Sequence, residues 1–165
     1  MAKIIVTGPE SCGKTTLSQA LSNHFRIPFL KEYAREYLQE LGRDYSQEDL
    51  ITIAKKQLEF EQDIQLLDTD LITIKIWSNY KYSSCDKWIV EQIEKQKSEK
   101  RFYLLCKPDI AWEADPLREN PKNRVELFDL YKKELDSLNH DYYIVEGEKR
   151  DLAVILKIVA QKFFI

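Results

Sequence analysis

The chain predicts a parallel α/β domain, a five-stranded sheet with helices on both faces, and three observations carry that prediction. First, the apolar run Ile4-Ile5-Val6 leads directly into Gly8-Pro9-Glu10-Ser11-Cys12-Gly13-Lys14-Thr15, a full match to G-x-x-x-x-G-K-[ST]. Second, Thr16 to Leu21 follows at once with Leu17, Ala20 and Leu21 at helical spacing, giving the strand–loop–helix context that the motif needs. Third, strand-like and helix-like segments alternate along the rest of the chain, the pattern of crossover connections between parallel strands. No repeat, low-complexity stretch or linker interrupts the 165 residues. Residues 1–165 therefore read as one domain with the P-loop NTPase fold.

Each element has its own signal. The first helix fades near Asn23-His24, and Ile27-Pro28-Phe29-Leu30 reads as a short second strand. Tyr33 to Leu41 is helical and stops at Gly42. Ser46 with Asp49 forms a capping-box pattern ahead of an apolar stripe of Leu50, Ile53, Ala54 and Leu58. Ile64 to Leu67 is the third strand, ending at Asp68-Thr69-Asp70. Leu71 to Trp77 is ambiguous; helix is preferred, because a strand through the acidic pair would bury both carboxylates. Asn79 to Asp86 reads as a loop and Lys87 to Lys100 as an exposed helix with Trp88, Ile89 and Ile93 inward. Phe102 to Cys106 is the fourth strand, followed by a breaker-rich loop from Lys107 to Pro121. A helix from about Asn123 to Leu138, a fifth strand at Tyr142 to Val145 and a last helix from about Arg150 complete the chain.

Composition narrows the function. A net charge of −3 leaves no electrostatic footprint for nucleic acid or an anionic membrane, so neither is expected as a partner. Cys12, Cys85 and Cys106 form no C-x-x-C pair and read as reduced thiols. The chain enters its first strand directly and has no apolar run near the ~18 residues of a membrane span, which together suggest a cytoplasmic protein.

The loop at 8–15 points to a nucleoside triphosphate. Gly8 and Gly13 allow backbone angles closed to other residues, and successive N–H groups with the helix N-terminus then surround a phosphate. Ser11, Cys12, Gly13 and Thr16 would contribute those contacts, Lys14 would reach the β- and γ-phosphates, and Thr15 would take a Mg²⁺ position. Cys12, beside Lys14 and a helix N-terminus, is either a thiol of lowered pKa or simply a small residue at a free position of the motif.

Four segments together resemble one family: the phosphate loop, Glu32-Tyr33-Ala34-Arg35-Glu36-Tyr37, Asp68-Thr69-Asp70, and Lys107-Pro-Asp-Ile-Ala-Trp112-Glu-Ala-Asp115-Pro-Leu-Arg118. The chain is similar, from Ile4 to its last helix, to the ribosylnicotinamide kinase domain of NadR-type NAD-biosynthesis proteins and their stand-alone forms. The resemblance implies ATP-dependent phosphorylation of the 5′-hydroxyl of nicotinamide riboside, giving nicotinamide mononucleotide. Nothing precedes the phosphate loop here, so the adenylyl transfer and repression of multidomain members are not expected. One departure concerns the substrate. The family places an aromatic residue ahead of the Glu-Tyr motif, against the nicotinamide ring, whereas this chain has Lys31, whose ammonium repels a cationic ring. Gln57 resembles a family position near the substrate, and by sequence alone is a polar residue on a helix.

A kinase needs phosphate positioning, a metal site, activation of the acceptor hydroxyl and charge stabilisation on the moving phosphoryl group. Asp68, at the carboxyl edge of the sheet, suits Mg²⁺ or its water. Asp70 is either a second carboxylate facing the acceptor or the N-cap of the following helix. Glu32, just past the second strand, is the candidate general base, with Asp68 the competitor. Arg35 would touch phosphate or substrate, while Glu36 reads as a solvated charge. The loop from Trp112 to Arg118 resembles a lid that would exclude water. Arg118 and Arg124 would bring guanidinium groups to the phosphates. Trp112 is a stacking residue or a packed anchor, and Asp115 a ribose contact or the start of a turn. The segment Glu146 to Arg150 stands where the adenine would lie. Two other functions stay open: a kinase for another nucleoside, nucleotide or cofactor precursor, and a nucleotide-dependent switch without turnover.

Overall fold

The computed structural model describes residues 1–110 and 122–163. Its centre is a five-stranded, wholly parallel sheet in the order β2-β3-β1-β4-β5, with β1 at Lys3–Thr7, β2 at Phe29–Leu30, β3 at Leu66–Asp68, β4 at Arg101–Cys106 and β5 at Asp141–Val145. β1 lies between β3 and β4, with Val6 registered against Asp68 on one side and Leu104 on the other. The loops leaving β1 and β3 therefore emerge side by side at the carboxyl edge, the usual ligand position in such sheets.

Side chains alternate between two cores, as the two-residue strand period requires. Ile5, Leu67, Tyr103 and Leu105 face α2 (Tyr33–Leu41), α3 (Gln47–Phe60), α4 (Leu71–Tyr82), α5 (Lys87–Gln96) and α6 (Arg124–Ser137). Ile4, Val6, Leu66 and Leu104 face α1 (Lys14–Phe25) and α7 (Leu152–Phe163), which is preceded by a 3₁₀ turn at Gly147–Arg150. No helix among the described residues is long and apolar enough to cross a membrane.

The capping box at Ser46 and Asp49 forms. Asp49 also accepts from Arg43 and from the Tyr37 hydroxyl, tying the end of α2 to the start of α3. The ambiguous segment after Asp70 is helical, although four of its first six residues are β-branched. Such residues lower helix propensity by less than about 0.7 kcal/mol each, while burying one isoleucine is worth roughly 1.5–3 kcal/mol. Ile72, Ile74 and Ile76 are all buried, so packing decides.

Several boundaries move. Asn79 to Tyr82, read as loop, continues α4 until Ser83 takes a left-handed conformation. The helix from Lys87 ends at Gln96 instead of Lys100. β2 contains only Phe29 and Leu30. β4 begins one residue early, at Arg101, a charge that is buried because its guanidinium is fully partnered below the sheet.

Candidate active site

The phosphate loop is held by contacts that need its glycines. Gly8 has φ 137°, and a Cβ there would lie 2.5 Å from the Cys106 carbonyl oxygen of β4. Gly13 has φ 86° and opens α1 from the left-handed region. Lys14 is buried and donates to the carbonyls of Gly8 (2.8 Å) and Pro9 (3.2 Å), so its ammonium crosses the mouth of the loop. Burial disfavours that charge, yet Cys12, Glu32, Tyr131 and Asp68 outweigh it, and the Lys14 pKa moves up. Cys12 is buried against the loop, with its thiol donating to Pro9. Burial raises its pKa, but Cys106, Lys14 and Arg150 together bring it below the ordinary thiol value.

The register of β3 beside β1 delivers Asp68 to α1. The Thr15 hydroxyl donates to Asp68 Oδ2 at 2.8 Å, while the buried Oδ1 has no hydrogen-bond partner. Burial pushes the Asp68 carboxyl up from its ordinary value, against the pull of Lys14, the Thr15 hydrogen bond and Arg35. A hydroxyl and a carboxylate with a free oxygen suit a hard cation shared with phosphate and water. No group of three His, Cys, Asp or Glu side chains able to cage a metal occurs among the described residues. The donor set therefore fits Mg²⁺ carried in with a nucleotide.

Two cavities meet over this pair. One follows the loop from Glu10 to Thr16 and reaches Glu32, Arg35 and Ile110. The other, about 410 Å³, runs from Thr15 and Asp68 past Glu32 and Arg35 to Leu30, Tyr33 and Phe60. Thr15, Glu32 and Arg35 line both. Glu32 is the N-cap residue of α2, and the turn after β2 aims it at the shared boundary. Glu36, read as a solvated charge, is exposed but stands on the wall of the second cavity.

Two expected substrate contacts lie elsewhere. Asp70 is not turned to the acceptor. It caps α4 by accepting from Ile72 N (3.1 Å), pairs with Arg101 (3.0 Å) and accepts from the Tyr103 hydroxyl (2.6 Å), all fully buried. Thr69, at φ 69°, turns the chain between the two aspartates. Gln57 is also buried and reaches the Thr69 carbonyl at 3.5 Å, so it backs that turn and lines neither cavity. Arg124 does reach the phosphate loop, donating to the carbonyls of Ser11 (3.0 Å) and Ile110 (3.1 Å). Trp112, Asp115 and Arg118 lie outside the described residues.

Sequence reasoning missed Arg150 as a brace. It donates to the Cys12 carbonyl (3.2 Å) and the Lys107 carbonyl, and pairs with Asp109. Its only sequence signal was its position just past the fifth strand. Tyr33 and Phe60, whose rings meet edge to face at 5.4 Å, were also missed as cavity walls.

These features define a P-loop nucleotide-binding α/β domain with a second cavity beside its phosphate site. The chain belongs to the AAA domain family, whose model matches residues 3–151. It is similar to the trifunctional NAD biosynthesis/regulator protein NadR of Escherichia coli (strain K12), with 28% identity over 163 residues, 90% of this chain and 39% of that protein. The chain thus spans well under half the length of that relative. Its fold matches a crystal structure of NadR protein in complex with NR, with a TM-score of 0.76 and 22% identity over 99% of this chain and 51% of that one. It also matches deoxyadenosine kinase from M. mycoides, with a TM-score of 0.62 and 17% identity over 97% of each chain.

Proposed function

We propose that the protein is an ATP-dependent kinase that phosphorylates the 5′-hydroxyl of nicotinamide riboside to nicotinamide mononucleotide. The observation that carries this reading is the meeting of the two cavities at Thr15, Glu32 and Arg35. A phosphoryl donor in the first and a riboside in the second would place their reacting ends against the same three side chains. The similarity to NadR supports the choice of riboside.

The geometry supports the following roles. The 5′-oxygen attacks the γ-phosphorus, the bond to the bridging oxygen of the departing ADP breaks, and the hydroxyl proton passes to Glu32. Asp68 is less suited to be the base, because Thr15 occupies one of its oxygens and the other fits a metal or its water. Thr15 and Asp68 would hold Mg²⁺, which would supply charge neutralisation on the β- and γ-phosphates. Lys14 adds a fixed positive charge across the loop, and Arg35, which lines both cavities, would contact the moving γ-phosphoryl group. Ser11, Cys12, Gly13 and Thr16 line the donor cavity, and Arg124 steadies it through Ser11. Arg118 would bring its guanidinium to the phosphates, and Trp112 and Asp115 would contact the riboside.

The test is ADP release with Mg-ATP across a panel of ribosides. Acceptor-dependent release with nicotinamide riboside is the expected result. ATP binding without release for any riboside would overturn the kinase reading in favour of a nucleotide switch.

A further inference from the structure

The second cavity has a charge pattern that the transfer reaction does not use. At its reacting end stand Thr15, Glu32, Arg35 and Asp68. Its lining also carries an apolar wall of Leu30, Tyr33 and Phe60, with Lys31 and Glu36 beside it. Both of these charged side chains are exposed. Among the described residues neither has a hydrogen-bond or ion-pair partner. Lys56 pairs with Glu59 at 3.1 Å and also lies over the Phe60 ring, and Arg43 pairs with Asp49.

An unengaged cation and an unengaged anion beside an apolar wall, where the Tyr33 and Phe60 rings meet edge to face, complement an aromatic ligand that carries both charges. A riboside in this cavity with its 5′-hydroxyl at Glu32 would send its base along that wall. A pyridinium ring offers the positive charge at the ring nitrogen, where the sugar is attached, and an apolar face to Tyr33 and Phe60. A ring carboxylate offers the negative charge that Lys31 lacks. A carboxamide at the same place would accept a hydrogen bond from the ammonium but bring no negative charge, leaving the cationic ring uncompensated beside the lysine.

We propose that Lys31 and Glu36 determine acceptor specificity, and that the preferred acceptor is a zwitterionic pyridinium riboside bearing a ring carboxylate. Lys31 receives the carboxylate and Glu36 offsets the ring cation. This rests on the riboside-kinase reading of the same site and sharpens its substrate class. The kinase would then serve a supply of pyridine-carboxylate ribosides, such as dephosphorylation of the matching mononucleotide produces.

The experiment compares kcat/KM for nicotinate riboside and nicotinamide riboside by ADP release, in the wild-type chain, Lys31→Met, Lys31→Arg and Glu36→Gln. The added ion pair between a ring carboxylate and the exposed Lys31 ammonium predicts a preference of up to about fivefold for nicotinate riboside in the wild-type chain. Lys31→Met should erase most of that ratio and Lys31→Arg should keep it. Glu36→Gln should lower kcat/KM for both ribosides while leaving their ratio nearly unchanged. A wild-type preference for nicotinamide riboside, or a ratio that Lys31→Met does not move, overturns this proposal and leaves the kinase reading standing. Turnover of neither pyridine riboside, with ATP still bound, overturns both.

Discussion

Replacing Asp70 with alanine separates a structural aspartate from a substrate-facing one. In the fold Asp70 carries three interactions: the N-cap of α4, the ion pair with Arg101 and the hydrogen bond from Tyr103. Loss of an N-cap costs about 1 kcal/mol. Leaving a buried charge without its partner costs roughly 3–5 kcal/mol. Arg101 would still face Glu99 at 2.9 Å and Glu61 at 3.5 Å, so the lower end of that range applies. The expected destabilisation is about 4 kcal/mol, a large part of the roughly 5–15 kcal/mol that holds a domain together. With an unfolding entropy of about 2.1 cal/mol/K per residue, this lowers Tm by about 12 °C in a chain of 165 residues. Thermal melts read that shift, and acceptor KM measured below the transition should change little. Asp70→Asn, which keeps the cap and loses the charge, should fall between the two. An unchanged Tm with a raised acceptor KM would refute the structural assignment and return Asp70 to the substrate.

Three further outcomes are expected. Glu32→Gln should lower kcat by about 10²–10⁴-fold with ATP affinity nearly unchanged, measured by ADP release and calorimetry; near-normal turnover would remove its role as base. Gly8→Ala should weaken ATP binding at least about tenfold, because the new Cβ meets backbone and φ 137° is strained for alanine; undiminished affinity in a titration would refute the loop's dependence on that contact. Glu61 is buried, and that burial pushes its carboxyl up to about 7 from 4.5 despite Arg101 and Lys3. The folded chain therefore holds a proton that the unfolded chain releases, and this stabilising contribution, at most about 3 kcal/mol, is fully present below pH about 4.5 and lost as pH rises through about 7. Glu61→Gln, which mimics the protonated acid, should flatten the fall in Tm between pH 5 and 8; an unaltered slope would refute it.

The phosphate loop was legible from sequence because all its parts lie within eight consecutive residues and its chemistry is set by local backbone geometry. The same holds for the capping box at Ser46 and for the strand–helix alternation, where burial imposes a period that the apolar residues display directly. Asp68 could be placed as well, since it ends an apolar run and strands of a parallel sheet share one carboxyl edge.

The fate of the neighbouring aspartate could not be read in the same way. Asp68 and Asp70 are two letters apart and chemically identical, yet one faces Thr15 and the other Arg101, 31 residues on, after a left-handed turn at Thr69. Lys3 looks like a surface charge in sequence, but it is buried and its ammonium donates to carbonyls of the turn between α3 and β3, including Ile64 at 2.7 Å. Arg150 reaches the Cys12 carbonyl across 138 residues. The wall of the second cavity likewise joins Tyr33 to Phe60 from two different helices. By itself, then, the sequence determined the fold class and the phosphate loop, because those rest on local geometry and on the period of burial. Which charges serve the site and which brace it was decided only by the tertiary structure, because a charged side chain takes its role from whatever distant partner compensates its desolvation.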